Sequence, residues 1–242
     1  MRTLLTWPVL LYLRFLAQLA LTVHKPVSIG IAGSVGKSST RNALFAMLKD
    51  YARTEIISGN SETGVPLGIL GMRAEDYSFK GWLTLLVRAP FGLTHVKNID
   101  YLIVEMGIDD PYPPKNMSYL LSILKPDYAI SLNVSPTHTE QFEKTLKEKR
   151  AKNISEEQKL PYLLQRIAQE DTKIITESGC KVGIYNADDI YIKTQIDEYL
   201  ILHRNTTLLS FGKSPRNDIS YAGYKVTLEG THFSFLVQSD TI

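Results

Sequence analysis

The sequence predicts an α/β fold: a mainly parallel sheet with helices on both faces, preceded by an apolar N-terminal helix. Three observations lead there. Runs at Val27–Ala32, Tyr101–Glu105, 128–133 and 182–185 are apolar at consecutive positions, as strands buried on both faces are. Segments with helical spacing separate them, and strands alternating with helices form parallel sheets. Between the first strand and the next helix lies a glycine-rich loop, Gly33-Ser34-Val35-Gly36-Lys37-Ser38-Ser39. Strand, glycine loop and helix in that order is the setting of a phosphate-binding loop.

The elements follow in order. Residues 4–21 are strongly apolar, but Arg14 and Gln18 interrupt them, leaving less than the ~20 residues of a spanning helix. Residues 1–24 therefore read as a helix packed against this or a further domain, with a peripheral helix in a membrane interface as the alternative. Lys25-Pro26 closes it, because proline disfavours helix in the residue before it. Residues 38–50 place Ala43, Leu44, Met47 and Leu48 on one helical face. The segment 70–101 offers few assignable features, and its Trp82 and Phe91 read as packing residues. A helical run at 119–124 ends at Lys125-Pro126, and the charged stretch 140–159 reads as a solvated helix. A helix at 188–200 and alternating β segments at 207–211, 221–228 and 232–237 complete the pattern. The last of these resembles a strand inside a sheet, so the sequence is expected to continue beyond Ile242.

Composition narrows the function. With 27 basic and 25 acidic side chains the net charge is +2, and no Lys/Arg run stands out, so no nucleic-acid partner is expected. Cys180 is the only cysteine, which excludes an internal disulfide framework and fits a reducing cytoplasm.

The glycine loop carries the chemistry. Backbone N–H groups from Ser34 to Lys37 can converge on phosphate oxygens at the positive end of the following helix. Gly33 and Gly36 permit the backbone angles. Lys37 would neutralise the β- and γ-phosphates of ATP, and the Ser38 hydroxyl would bind Mg2+. The strict spacing of such loops would put the first glycine at Ile31, so this is a variant form. Glu105 closes a strand, where open α/β sheets bind ligands and a carboxylate can hold magnesium. A strand-end acid is more often solvated, and a lone histidine such as His138 is more often structural.

Taken in order, five stretches resemble one family, the Mur ligases, which add amino acids or dipeptides to peptidoglycan precursors. They are the loop from Ile31 to Thr40, Asn60-Ser61-Glu62-Thr63-Gly64-Val65-Pro66-Leu67, Glu105-Met106-Gly107, Asn133-Val134-Ser135-Pro136-Thr137-His138 and Asn186-Ala187-Asp188-Asp189. Ser210-Phe211-Gly212 adds a weaker match. The second and third stretches resemble the D-alanyl-D-alanine-adding, MurF-like branch. The resemblance implies that residues 25–242 form the central ATP-binding domain, incomplete at its C-terminal end. It implies contacts to ATP from Gly33 to Ser39, with Lys37 on the phosphates and Asn186 at the adenine. Ser38 and Glu105 would hold one magnesium, and His138 a second.

The implied reaction is ATP-dependent amide formation. A carboxylate of a UDP-sugar peptide precursor becomes an acyl phosphate, and the amine of an amino acid or dipeptide displaces phosphate. The family also carries a carbamylated lysine that helps bind the second magnesium. Lys152 lies in one matching context; the other alignment, through Ile167-Ala168-Gln169-Glu170, places Asp171 there, so that an ordinary carboxylate replaces the carbamate. A folylpolyglutamate- or cyanophycin-type ligase, and a non-catalytic ATP-binding module, are the alternatives. A GTPase is disfavoured by the absence of N-K-x-D. The implied location is cytoplasmic, with membrane association through the N-terminal helix as the variant.

Overall fold

Helix α1 (Arg2–His24) leads into β1 (Val27–Ala32), the glycine loop and α2 (Lys37–Leu48). Then come β2 (Thr54–Ile56), α3 (Gly64–Ile69), α4 (Phe79–Arg88), a 3-10 turn at Ala89–Thr94 and β3 (Tyr101–Glu105). α5 (Met117–Ile123), β4 (Tyr128–Ser131), α6 (Thr139–Phe142) and a second 3-10 turn (Glu143–Lys147) follow. The chain ends with α7 (Glu156–Thr176), β5 (Val182–Asn186), α8 (Ile190–Leu202), β6 (Thr207–Gly212), β7 (Ile219–Thr227) and β8 (Gly230–Val237). These come from a computed structural model that describes residues 2–74, 78–137, 139–147, 154–202 and 207–238.

One eight-stranded sheet runs in the order β2-β3-β1-β4-β5-β6-β7-β8. All pairs are parallel except the hairpin β7–β8. On one face α2 sets Leu44, Phe45 and Leu48 against Ile29, Ile31, Ile103, Ile130 and Leu132. The opposite face carries α3, α5 and α7 in the larger apolar cluster, so β1, β3 and β4 are covered on both sides.

α1 lies outside α3, α5 and the first 3-10 turn and buries one stripe: Leu10, Leu13, Leu16, Ala17 and Ala20. Their three- and four-residue spacing marks one helix face. Trp7 meets Tyr119 of α5 edge to face, with ring centroids 6.0 Å apart. Arg14 and Gln18, which break the apolar run in the sequence, both reach Ser122 of α5, Arg14 half-buried and Gln18 exposed. Arg14 Nη1 donates to Ser122 Oγ at 3.1 Å, and Gln18 Nε2 to the Ser122 carbonyl at 2.6 Å.

Three segments differ from the sequence reading. The stretch 140–159 is not one helix: α6 and a 3-10 turn precede α7, whose start is fixed by a capping box between Ser155 and Gln158. Segment 70–101 contains α4, started by Ser78, whose hydroxyl accepts the Gly81 N–H at 3.1 Å. There Trp82 packs on the core, whereas Phe91, also expected to pack, is 83% exposed. β2 and α3 went unread because one has three residues and the other is Gly-Val-Pro-Leu-Gly-Ile, poor in helix formers.

The two faces of α1 give a direct expectation. Leu13→Ala, at a fully buried site, lowers the unfolding free energy by roughly 2–4 kcal/mol. Phe15→Ala, on the outer face, changes it by less than ~0.5 kcal/mol. Urea denaturation measures both, and equal losses would contradict the packing.

Candidate nucleotide and metal site

β1 lies between β3 and β4: the chain runs from β1 to β2 and β3 on one side, then crosses over to β4 on the other. In open α/β sheets a crevice opens at such a reversal, beyond the carboxyl ends of the strands. The glycine loop occupies that place. Gly33 and Gly36 have φ of 135° and 92°, conformations that a side chain disfavours. α2 starts at once after Gly36, so N–H groups of its first turn, which the helix itself does not use, face the crevice.

The next strand's exit clamps the loop. The Ser34 N–H donates to the Asn133 carbonyl at 2.8 Å. The Val35 N–H donates to Asn133 Oδ1 at 3.0 Å, and Asn133 Nδ2 returns a bond to the Val35 carbonyl at 2.8 Å. The Ser135 N–H donates to Ser34 Oγ at 3.0 Å. Ser34 and Val35 thus spend their N–H groups on Asn133, which corrects the expectation that both turn toward phosphate. Gly36 and the first turn of α2 are left to face a ligand.

Charge gathers beside the loop. Ser38 Oγ donates to Glu105 Oε2 at 3.1 Å, and Arg41 Nη1 lies 2.7 Å from Glu105 Oε1. Glu105 is buried, so the guanidinium supplies the compensation that a buried carboxylate requires. Lys37 Nζ donates to the carbonyls of Gly33 and Ser34, which keeps its ammonium inside the loop's curve. Across a cavity of about 60 Å3 lies Asp171 of α7, with Asn60, Gly107 and Thr137 among the other lining residues. Asp171 is 2% exposed, accepts the Gly33 N–H and leaves Oδ2 without a hydrogen-bond partner. Burial pushes its carboxyl up to about 7, against the pull of Lys37 and the Gly33 N–H.

The donors suit magnesium in one particular way. Among the described residues no three His, Cys, Asp or Glu side chains cluster as a metal site. Ser38 and Glu105 supply two hard oxygens beside a phosphate-type loop. Magnesium takes such a set when phosphate oxygens and water complete its shell, rather than an all-protein cage.

Comparison with known proteins assigns the family. The Mur ligase middle domain family matches residues 31–154, just over half of the chain. The chain belongs to the Mur ligase family. It is 25% identical over 235 residues to a UDP-N-acetylmuramoyl-tripeptide–D-alanyl-D-alanine ligase of Borreliella burgdorferi, covering 96% of this chain and 38% of that protein. Among solved structures it resembles MurF ligase from Thermotoga maritima in complex with ADP, with TM-score 0.66 and 22% identity. That match covers 94% of this chain and 42% of the other. Escherichia coli FolC matches at TM-score 0.51 and 14% identity, over 91% of this chain and 51% of the other. The chain therefore spans about two-fifths of the length of the MurF-type proteins it matches.

Within this Mur ligase domain the residues singled out by sequence fall on one edge of the sheet. Lys37, Ser38 and Glu105 meet directly around the loop. Asn186 ends β5, beyond β4 on the same edge, where its Oδ1 accepts the Asp188 N–H at 3.0 Å. The two acids that follow are structural. Asp189 Oδ1 accepts the Tyr191 and Ile192 N–H groups of α8, and its Oδ2 accepts the Val134 N–H at 2.7 Å. Asp188 accepts the Lys213 N–H at 2.9 Å. His138 and Lys152 lie outside the described residues. Sequence reasoning missed Arg41, whose one signal is its place three residues after Ser38 on the same helix. It also gave Asn133 no role.

Asp171 makes stability depend on pH. Near its ordinary 3.8 the unfolded chain gives up this proton, whereas the folded protein keeps it to about 7. Between these values the native state binds more protons, so its stability falls as pH rises. Asp171→Asn should remove that slope and melt several degrees higher than the parent at pH 7.5, with a smaller gap at pH 4.5. Thermal melts without nucleotide or metal read the difference, and parallel pH profiles would contradict it.

Proposed function

We propose that this domain binds ATP with Mg2+ and serves an ATP-dependent ligase that joins an amino acid or dipeptide amine to a peptidoglycan-precursor carboxylate, in the manner of the MurF-like branch. The observation that carries the reading is the Ser38–Glu105 hydrogen bond beside Lys37 at a glycine loop that opens a helix. Hydroxyl, buried carboxylate and ammonium are the groups that phosphoryl transfer asks of a protein, since positioning and charge neutralisation do most of its work.

Lys37 and the N–H groups at the start of α2 hold the β- and γ-phosphates. Ser38 and Glu105 would hold one magnesium, and His138, by the family resemblance, a second. The chemistry that magnesium would supply there is neutralisation of charge on the γ-phosphate oxygens. Asn186 reads the adenine. Asp171 faces Lys37 across the cavity and takes the place of the family's carbamylated lysine with an unmodified carboxylate. A precursor carboxylate oxygen held at this edge attacks the γ-phosphorus, and ADP departs with the broken P–O bond. The amine nitrogen then attacks the acyl carbon, inorganic phosphate leaves, and the nitrogen loses a proton. The partners are a UDP-sugar peptide precursor and, in keeping with the MurF-like stretches, a D-alanyl-D-alanine-type dipeptide. The location that goes with this reading is the cytoplasm, where ATP is supplied.

The test is ADP and phosphate release by the protein in the presence of ATP, precursor tripeptide and dipeptide. Release that needs all three, and that falls by about 100-fold or more in Glu105→Gln, is the expected result. Tight ATP binding with no turnover under any substrate pair would leave a nucleotide-binding module and sink the ligase.

A further inference from the structure

We propose that the outer face of α1, with the adjoining outer face of α4 and its 3-10 turn, docks on an anionic membrane surface. Trp7, Leu11, Phe15, Leu19 and Val23 recur every four residues and are 44%, 44%, 60%, 39% and 63% exposed. They form one continuous stripe along the helix. Arg14 and Gln18, which interrupt the apolar run in the sequence, are both tied to Ser122, and Gln18 and Thr22 border the stripe as exposed but uncharged polar residues. The neighbouring element repeats the pattern: Leu83, Val87 and Phe91, again four apart, are 53%, 64% and 83% exposed. α1 packs on the 3-10 turn that follows α4, and Tyr12 Oη donates to the Leu86 carbonyl at 3.2 Å while His24 Nε2 lies 3.1 Å from the Leu93 carbonyl.

Charge selects the occupant. Neither α1 nor residues 79–98 contain an Asp or Glu, and the first acid of the whole chain is Asp50. Arg2 and Lys25 bracket α1, while Lys80 and Arg88 lie on α4. Glu75 and Asp76 precede α4 in the sequence, but within the two apolar segments themselves every charge is a cation, which suits the boundary between acyl chains and anionic headgroups. The inner stripe and the Ser122 bonds hold α1 to the domain, so it lies along the surface rather than crossing the bilayer. Its amino-terminal half rests on α5. Trp7 packs on Tyr119 near the start of α5, which follows the loop leaving Glu105 at the carboxyl end of β3.

Vesicle flotation tests this with the chain, using phosphatidylcholine alone or mixed with phosphatidylglycerol. We expect flotation with the mixed vesicles, reduced about tenfold on phosphatidylcholine alone or in high salt. Leu11→Glu with Phe15→Glu should lower binding to the mixed vesicles by about tenfold or more. Both positions are exposed, so an unchanged melting temperature shows that the double variant folds. A chain that stays soluble with both vesicles, or a double variant that floats like the parent, overturns the proposal. So does a dimer in solution that the double variant abolishes, because the face would then belong to a second copy. None of these readouts depends on ATP turnover, so failure here leaves the ligase reading intact.

Discussion

Where β1 ends, between β3 and β4, the backbone takes two conformations suited to glycine, and Asn133 from the exit of β4 grips the loop between them. The positions of the other site residues follow from that clamp. With Ser34 and Val35 bound to Asn133, the loop can turn only one way, and α2 begins immediately beyond it. Lys37, Ser38 and Arg41 then share the first turns of a single helix. One of them reaches the loop carbonyls, and two reach Glu105 at the end of the adjacent strand. Parallel pairing of Ile31 with Glu105 fixes the reach, because a one-residue slip would send that carboxylate to the other face of the sheet.

Charge burial sets the energetics of this arrangement. Two carboxylates, Glu105 and Asp171, are almost wholly removed from water on either side of the loop. Glu105 is compensated by a guanidinium and a hydroxyl. Asp171 has the Gly33 N–H and the nearby Lys37 ammonium, and its ordinary acidity is lost to burial. A fold stable by only ~5–15 kcal/mol carries such groups at a cost that packing elsewhere must offset. Strained, incompletely compensated polar groups at a crevice are where local rules give way to chemistry.

Much of this was legible in the sequence, for identifiable reasons. β1, β3, β4 and β5 announced themselves as consecutive apolar runs because both their faces are covered. The glycine loop did so because few other sequences allow that turn. The pairing of Ser38 with Glu105 could be expected from the loop and the strand end together. What escaped was whatever depends on contacts distant in sequence. Arg41 reads as a surface helix residue until Glu105 is placed beside it, and Asn133 as a loop asparagine until Val35 is. Asp189 belongs to a motif that resembles a ligand site, yet its carboxylate is spent on capping α8 and holding Val134. Arg14 and Gln18 argue against a continuous apolar helix in sequence. In space Ser122 takes both, and the stripe from Trp7 to Val23 runs beside them without a charge.

The central claim is that the loop, Lys37 and the Ser38–Glu105 pair form one magnesium-dependent phosphate site. Calorimetric titration of ATP into the chain, with and without Mg2+, tests it most directly when repeated on Lys37→Ala. The account predicts binding that requires the metal and is lost in the variant while the melting temperature holds. Binding that is indifferent to magnesium, or equal in the variant, would contradict it.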